Sequence, residues 1–276
     1  VKQIPFYDLN SWDETNARIS SSSNIHFDQT IPPEDANNFL SVIACDVYIV
    51  PFLQGLSAPN KIAWLLEPPS IINRIYEFVA GNINQFQCVF THCRKFVELF
   101  PNKAVYYPFG TTSIKVEDVG YNTKTDKVCM IVSDKKVTAG HKFRHEVVEK
   151  FKDKITRLKC GGEREYKLPY LKNCMYSIEI ENGQFDGYFS EKLIDCFLTG
   201  TVPIYCGDPT IGQIFDTEGM LSFNSIDELE VILNSDLSQE RYHSMKDAIS
   251  NNFYTAHNYL NPQNFIKAAL VERGLI

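Results

Sequence analysis

The stretch YFSEKLIDCFLTGTVPIYCG, residues 188–207, reads as loop, helix start, amphipathic helix, glycine stop and buried strand. Ser190-Glu191-Lys192 stands where the helix should begin. Gly200 falls just past its last apolar turn, where a residue without Cβ can end a helix. Residues 202–205 then form an apolar run that closes on Cys206-Gly207. A helix that hands over directly to a buried strand is characteristic of an α/β protein. Loop-to-helix junctions in such proteins are where anionic ligands settle.

The same logic extends in both directions. Residues 42–52 (VIACDVYIVPF) predict a buried strand with an entry loop. Residues 61–66 (KIAWLL) predict a second, stopped by Glu67-Pro68-Pro69. A third, 87–91, precedes a helix near 92–99, and a fourth, 104–107, ends at Pro108-Phe109-Gly110. The short run 20–23 reads as a loop. Residues 128–132 begin a second series. A helix over 141–154 follows, with Phe143, Val147, Val148 and Phe151 at helical spacing. A short strand at 155–158 runs to Cys160-Gly161-Gly162, and a strand at 175–180 runs into Glu181-Asn182-Gly183. Helices are expected over 209–215, 226–233, 238–254 and 262–274. Strands alternating with helices argue for parallel sheets. The 276-residue length favours two domains. The polar, aperiodic tract before the second series marks the linker, so the expected division is 1–112, a linker at 113–126, and 127–276.

Composition narrows the function classes. The chain is 44% apolar and 22% charged, an ordinary globular balance. With 27 basic and 34 acidic residues its net charge is −7, which does not suit tracking a nucleic-acid backbone. No apolar run is long enough for a membrane span, and no signal-peptide pattern opens the chain. Its eight cysteines form no C-x-x-C pair, and no Asn-x-Ser/Thr sequon occurs. Free buried thiols in a reducing, cytoplasmic setting are therefore expected.

Several residues could carry chemistry. Backbone N–H groups at the start of a helix attract anions, and Lys192 there suits an anionic ligand. Glu191 can accept hydrogen bonds from ribose hydroxyls. The same trio also reads as an ordinary cap by Ser190, with Lys192 in water. Glu181 and Asn182 end a strand and can hold polar ligand groups, or they form a plain turn. Arg144, on the helix after a strand, has the fork that binds a diphosphate, or lies on a solvated face. Glu67, braced by two prolines, can serve as a general base or as a turn acid. His141 and His145 have zinc-compatible spacing but no third ligand, so they read as surface histidines. No Asp-x-Asp metal clamp, P-loop, G-x-G-x-x-G or G-x-S-x-G is present.

The order of these features resembles the donor-binding domain of family-10 α1,3-fucosyltransferases and related exostosin-like, viral or bacterial glycosyltransferases. The matching elements are the Arg144 helix, the Gly pair, then Glu181-Asn182, Ser190-Glu191-Lys192 and Gly200-Thr201-Val202-Pro203. The nine-residue gap from Asn182 to Glu191 also matches. The likeness is best over 128–215. Trp64–Ser70, WLLEPPS, looks like the family's Glu-Ser-Pro segment, with Pro68 replacing the serine, and Tyr107-Pro108-Phe109-Gly110 like its Pro-Tyr-Gly.

The resemblance implies a GT-B fold of two Rossmann-like domains facing a cleft, and inverting sugar transfer without an essential metal or cofactor. The implied donor is GDP-fucose, with UDP-xylose as the alternative. The implied acceptor is an oligosaccharide or glycoprotein. Arg144 and Lys192 would neutralise the diphosphate. Glu191 would hold the ribose, Asn182 the sugar or phosphate, and Glu67 would deprotonate the acceptor. A non-catalytic glycan- or nucleotide-binding protein is the rival reading, and a Golgi-lumenal catalytic domain is the rival location.

Overall fold

The computed structural model describes residues 2–7, 25–28, 31–108, 110–160 and 167–276. The 20–23 run, Phe109 and the Gly161-Gly162 pair lie outside them. The chain forms two compact units, one of Val1–Phe109 with Asn261–Ile276 and one of Gly110–Leu260.

The first unit holds six strands: β1 (Lys2–Tyr7), β2 (Ile25–Asp28), β3 (Ser41–Cys45), β4 (Asn60–Leu65), β5 (Cys88–Thr91) and β6 (Ala104–Tyr106). They lie in the order β2-β1-β3-β4-β5-β6, and every pairing is parallel. Its helices are α1 (Ile49–Gly55), α2 (Pro69–Gly81) and α3 (Arg94–Leu99). Because side chains alternate along a strand, β4 sends Ala63 and Leu65 into one core with Tyr76 and Val79 of α2. Ile62 and Trp64 go into a second core on the other face.

The second unit holds β7 (Asp126–Val132), β8 (Arg157–Cys160), β9 (Cys174–Ile180), β10 (Val202–Cys206) and β11 (Leu221–Ser222). Their order is β11-β10-β9-β7-β8, again all parallel. Helices α4 (Ala139–Phe151), α5 (Leu168–Asn173), α6 (Glu191–Leu198), α7 (Ile226–Asn234), α8 (Gln239–Ser244) and α9 (Lys246–Ala256) connect and cover them. The last helix, α10 (Pro262–Glu272), returns to the first unit, where Ile266 and Leu270 pack with Trp64 and Ile43.

The apolar run at 42–52 is a strand only to Cys45. It then turns at Asp46 and becomes α1, since continuous apolar sequence cannot distinguish a buried strand from a buried helix. The 209–215 helix is a single 3-10 turn at Ile211–Gln213, and the 238–254 helix is broken at Met245 into α8 and α9. Strands β1 and β2 and helices α2 and α5 were not anticipated.

The boundaries differ as well. Much of the polar tract read as a linker is bound into the second unit. Buried Asp195 accepts hydrogen bonds from Thr112 Oγ1 at 2.6 Å and Ser113 N at 2.9 Å. Lys124 is buried and donates to Leu171 O, Thr199 O and Thr201 Oγ1 at 2.8–2.9 Å. Polar residues that satisfy buried groups look, in sequence, like polar residues in water.

The seven cysteines with described side chains are free, and six are buried. Among the described residues, no helix is long and apolar enough to cross a membrane.

Candidate functional site

In the second sheet the chain passes from β7 outward to β8, then returns to the far side of β7 to form β9. The strand order thus reverses between β7 and β9. Open parallel sheets bind ligands at the carboxyl ends of the strands at such a switch point. The residues that leave β7 and β9 there are those the sequence singled out.

Thr138 caps α4 and His141 answers it in a reciprocal capping box. Gly140 lets this helix start sit directly against the exit of β9, with its N–H on Asn182 O at 3.2 Å. Any Cβ at 140 would fall 1.9 Å from Glu181 O. One turn on, Arg144 is buried; its Nε donates to Ile180 O at 2.7 Å and its Nη2 to Asn182 Oδ1 at 2.9 Å. A guanidinium can only donate, so the Asn182 carbonyl oxygen must face it. The Asn182 amide nitrogen then points to the Tyr188 hydroxyl at 3.4 Å. Burial lowers the Arg144 pKa, while Glu181, Glu179 and Glu191 pull it upward. Guanidinium is not deprotonated in proteins, so its charge remains.

Glu181 is 1% exposed, and both its oxygens are engaged. Oε1 accepts the Ser190 amide at 2.8 Å, and Oε2 accepts the Ser190 hydroxyl at 2.7 Å, with Lys192 Nζ 3.4 Å away. Its carboxylate therefore faces inward and fixes the start of α6, which revises its expected role as a ligand contact. Ser190 is the N-cap of α6, as its residue type predicts, and its hydroxyl also receives Lys192 Nζ at 2.9 Å. Lys192 is thus folded toward the strand ends rather than standing in water. Glu191, in the first turn, lies 3.5 Å from both Lys167 and Lys192. The site is braced from beneath by Glu179, whose Oε1 accepts from Ser177 at 2.6 Å. Burial pushes Glu179 up to about 7, against the pull of Ser177, Lys167, Lys192 and Cys196.

His141 was passed over as a surface histidine, yet it is 9% exposed. Burial first, then the charges of Arg144, Lys192, Lys135 and His145, pull it down to about 4, so it is neutral at neutral pH. Thr138 N–H donates to its Nδ1 at 3.1 Å, which leaves the ring proton on Nε2 as a donor. The signal for it in sequence was the Thr138-x-x-His141 spacing of a cap, which a scan for Glu or Gln at that position overlooks. Arg144 and Lys192, from two separate elements, both act electrostatically on His141, at a place beside two helix N-termini. Such a place suits a diphosphate. Glu67 lies in the first unit, half-buried, two residues past β4 at the carboxyl end of its strand.

No family profile matches the chain. A stretch of 71 residues is 32% identical to the α-(1,3)-fucosyltransferase FucT of Helicobacter pylori; it spans 25% of this chain and only 15% of that protein. Solved structures share the fold at low identity. HepE of Anabaena, in complex with UDP-glucose, superposes with a TM-score of 0.64 at 9% identity over 100% of both chains. An α1,3-fucosyltransferase with GDP-fucose superposes with a TM-score of 0.54 at 12% identity, over 94% of this chain and 90% of that one. The fold is that of the GT-B glycosyltransferases.

Proposed function

We propose that this chain is an inverting glycosyltransferase that moves fucose or a related sugar from a nucleoside-diphosphate donor to a hydroxyl of a glycan acceptor. The observation that carries the reading is that Arg144 and Lys192 both act on His141 at the β7/β9 switch point, beside the starts of α4 and α6. Sugar transfer leaves a nucleoside diphosphate whose charge grows as the glycosidic bond breaks. Fixed cations and helix N–H groups stabilise that charge where it develops. In this reading the protein's own cations and helix N–H groups supply that stabilisation.

Glu67 takes the proton of the acceptor hydroxyl, and the acceptor oxygen attacks the anomeric carbon opposite the departing phosphate. The bonding pair leaves on the diphosphate, which Arg144, Lys192 and His141 receive. Glu191 holds the ribose, and Asn182 and Glu181 keep Arg144 and Lys192 in place. GDP-fucose is the proposed donor, supported by the identity to the Helicobacter pylori fucosyltransferase. A UDP-sugar donor, UDP-xylose among them, is the second reading; the full-length likeness to HepE with UDP-glucose favours it.

Calorimetric titration with GDP, UDP, guanosine and uridine separates these readings and tests both. Lys192→Ala is expected to weaken the diphosphate and spare the nucleoside, and to raise the transfer barrier by about 2–4 kcal/mol. Equal loss for diphosphate and nucleoside refutes the assignment. Glu67→Gln is expected to bind nucleotide normally and to lose nearly all transfer; normal turnover excludes it as the base. The anomeric configuration of the product, read by NMR, decides inversion.

A further inference from the structure

Asp46 is the one non-glycine residue among those described with a left-handed backbone, at φ 42°. Aspartate and asparagine are among the few side chains that tolerate this region, and it marks positions where the fold imposes a conformation for a purpose. Asp46 directly follows β3, at the carboxyl end of a strand that adjoins the switch point of its own sheet, between β1 and β3.

The turn aims its side chain across to the next strand, where Oδ1 accepts the amide of Leu66 at 2.8 Å. Leu66 is the first residue past β4 and immediately precedes Glu67. On the other side of Glu67, Pro68 and Pro69 have no N–H with which to tie the loop down. The carbonyl of Pro68 accepts from Ile71 and Ile72 and so joins the loop to α2. Glu67 is therefore flanked by the start of α2 on one side and by the Leu66–Asp46 hydrogen bond on the other. The two carboxylates also share a neighbour: burial, Cys93, Asp46 and Glu67 all push the Tyr76 hydroxyl up, against its hydrogen bond to Thr91.

We propose that Asp46 is a positioning residue for the reaction: its left-handed backbone places a carboxylate on the Leu66 amide, and that bond sets the reach of Glu67. The inference rests on the reading of Glu67 as the base.

The test compares wild type, Asp46→Gly, Asp46→Asn and Glu67→Gln by GDP release from GDP-fucose, by GDP affinity, and by amide exchange at Leu66. Glycine accepts the backbone angle and deletes the acceptor, while asparagine keeps both. Asp46→Gly is expected to speed Leu66 exchange and lower kcat by about 10- to 100-fold with GDP affinity kept, the scale of a small misplacement of a reacting group. Asp46→Asn is expected to recover most of that loss. Unchanged Leu66 exchange in Asp46→Gly overturns the clamp whatever the donor proves to be. An intact kcat in Asp46→Gly beside a crippled Glu67→Gln overturns the positioning role and leaves the base standing. A fully active Glu67→Gln removes both.

Discussion

Gly140→Ala adds one methyl group to the first turn of a helix. By helix propensity alone it should stabilise the protein by about 1 kcal/mol. The packing at this position predicts the opposite. The added Cβ would lie 1.9 Å from Glu181 O and 2.9 Å from Asn182 Cα, all backbone atoms that no side-chain rotation can move aside. Relief requires α4 and the exit of β9 to separate by about 1.5 Å, enough to bring the closest contact to ordinary distances. Arg144 sits one turn along the same helix, with hydrogen bonds of 2.7 and 2.9 Å to Ile180 and Asn182. The same separation stretches both beyond hydrogen-bonding range.

Overpacking costs about 1–3 kcal/mol, and each strained hydrogen bond adds about 0.5–1.5 kcal/mol. For a unit of this size each kcal/mol lowers Tm by about 2–4 °C. Thermal melts with and without GDP or UDP measure the effect. The expected result is a lower Tm in the free protein and a smaller nucleotide-induced rise, with every site side chain still present. A variant that melts at or above wild type with full nucleotide stabilisation refutes the close approach of α4 to β9.

Four further outcomes follow from particular residues. Glu179 ionises at about 7 in the fold, above its ordinary 4.5, so its contribution is intact at acid pH and is lost as pH rises through 7. Glu179→Gln should therefore gain in Tm over wild type at pH 8 more than at pH 5. His141 slopes the other way: with its pKa near 4, below the ordinary 6.5, stability falls as pH drops from about 6.5 toward 4. His141→Gln should flatten that acid limb in a pH series of melts. Gly200, at φ +67° and with the Tyr121 ring 2.3 Å from where a Cβ would stand, should not accept alanine without losing about 1–3 kcal/mol in chemical denaturation. If Arg144, Lys192 and His141 meet the diphosphate as proposed, transfer should survive EDTA.

Arg144, Asn182, Ser190 and Lys192 could all be picked out from the sequence, because the signals that mark them are local: a strand end, a cap, a glycine stop. Their partners could not. Glu181 looked like a ligand contact because a carboxylate at a strand end reads the same whether it turns outward or inward. Only the fold shows Ser190, nine residues on, taking both its oxygens. His141 was hidden because its burial comes from packing of α4 against β9, a contact between elements about forty residues apart. Asp46 lay inside an apolar run that concealed the turn it makes.

What the sequence by itself determined is the series of elements and their chemistry. Hydrophobic period, turn residues and caps act over a few residues, and they suffice to specify parallel α/β units and the candidate groups. What only the tertiary structure decided is adjacency. That β7 lies against β9, that α10 returns to cover the Trp64 face of the first sheet, and that the tract after Gly110 is bound into the second unit all depend on contacts between distant segments. An amphipathic helix carries an apolar face but no record of which sheet it covers. A strand carries hydrogen-bonding groups on both edges but no record of its neighbour. Those choices are made by the summed burial and pairing of the whole chain, and they turn scattered charged residues into one site.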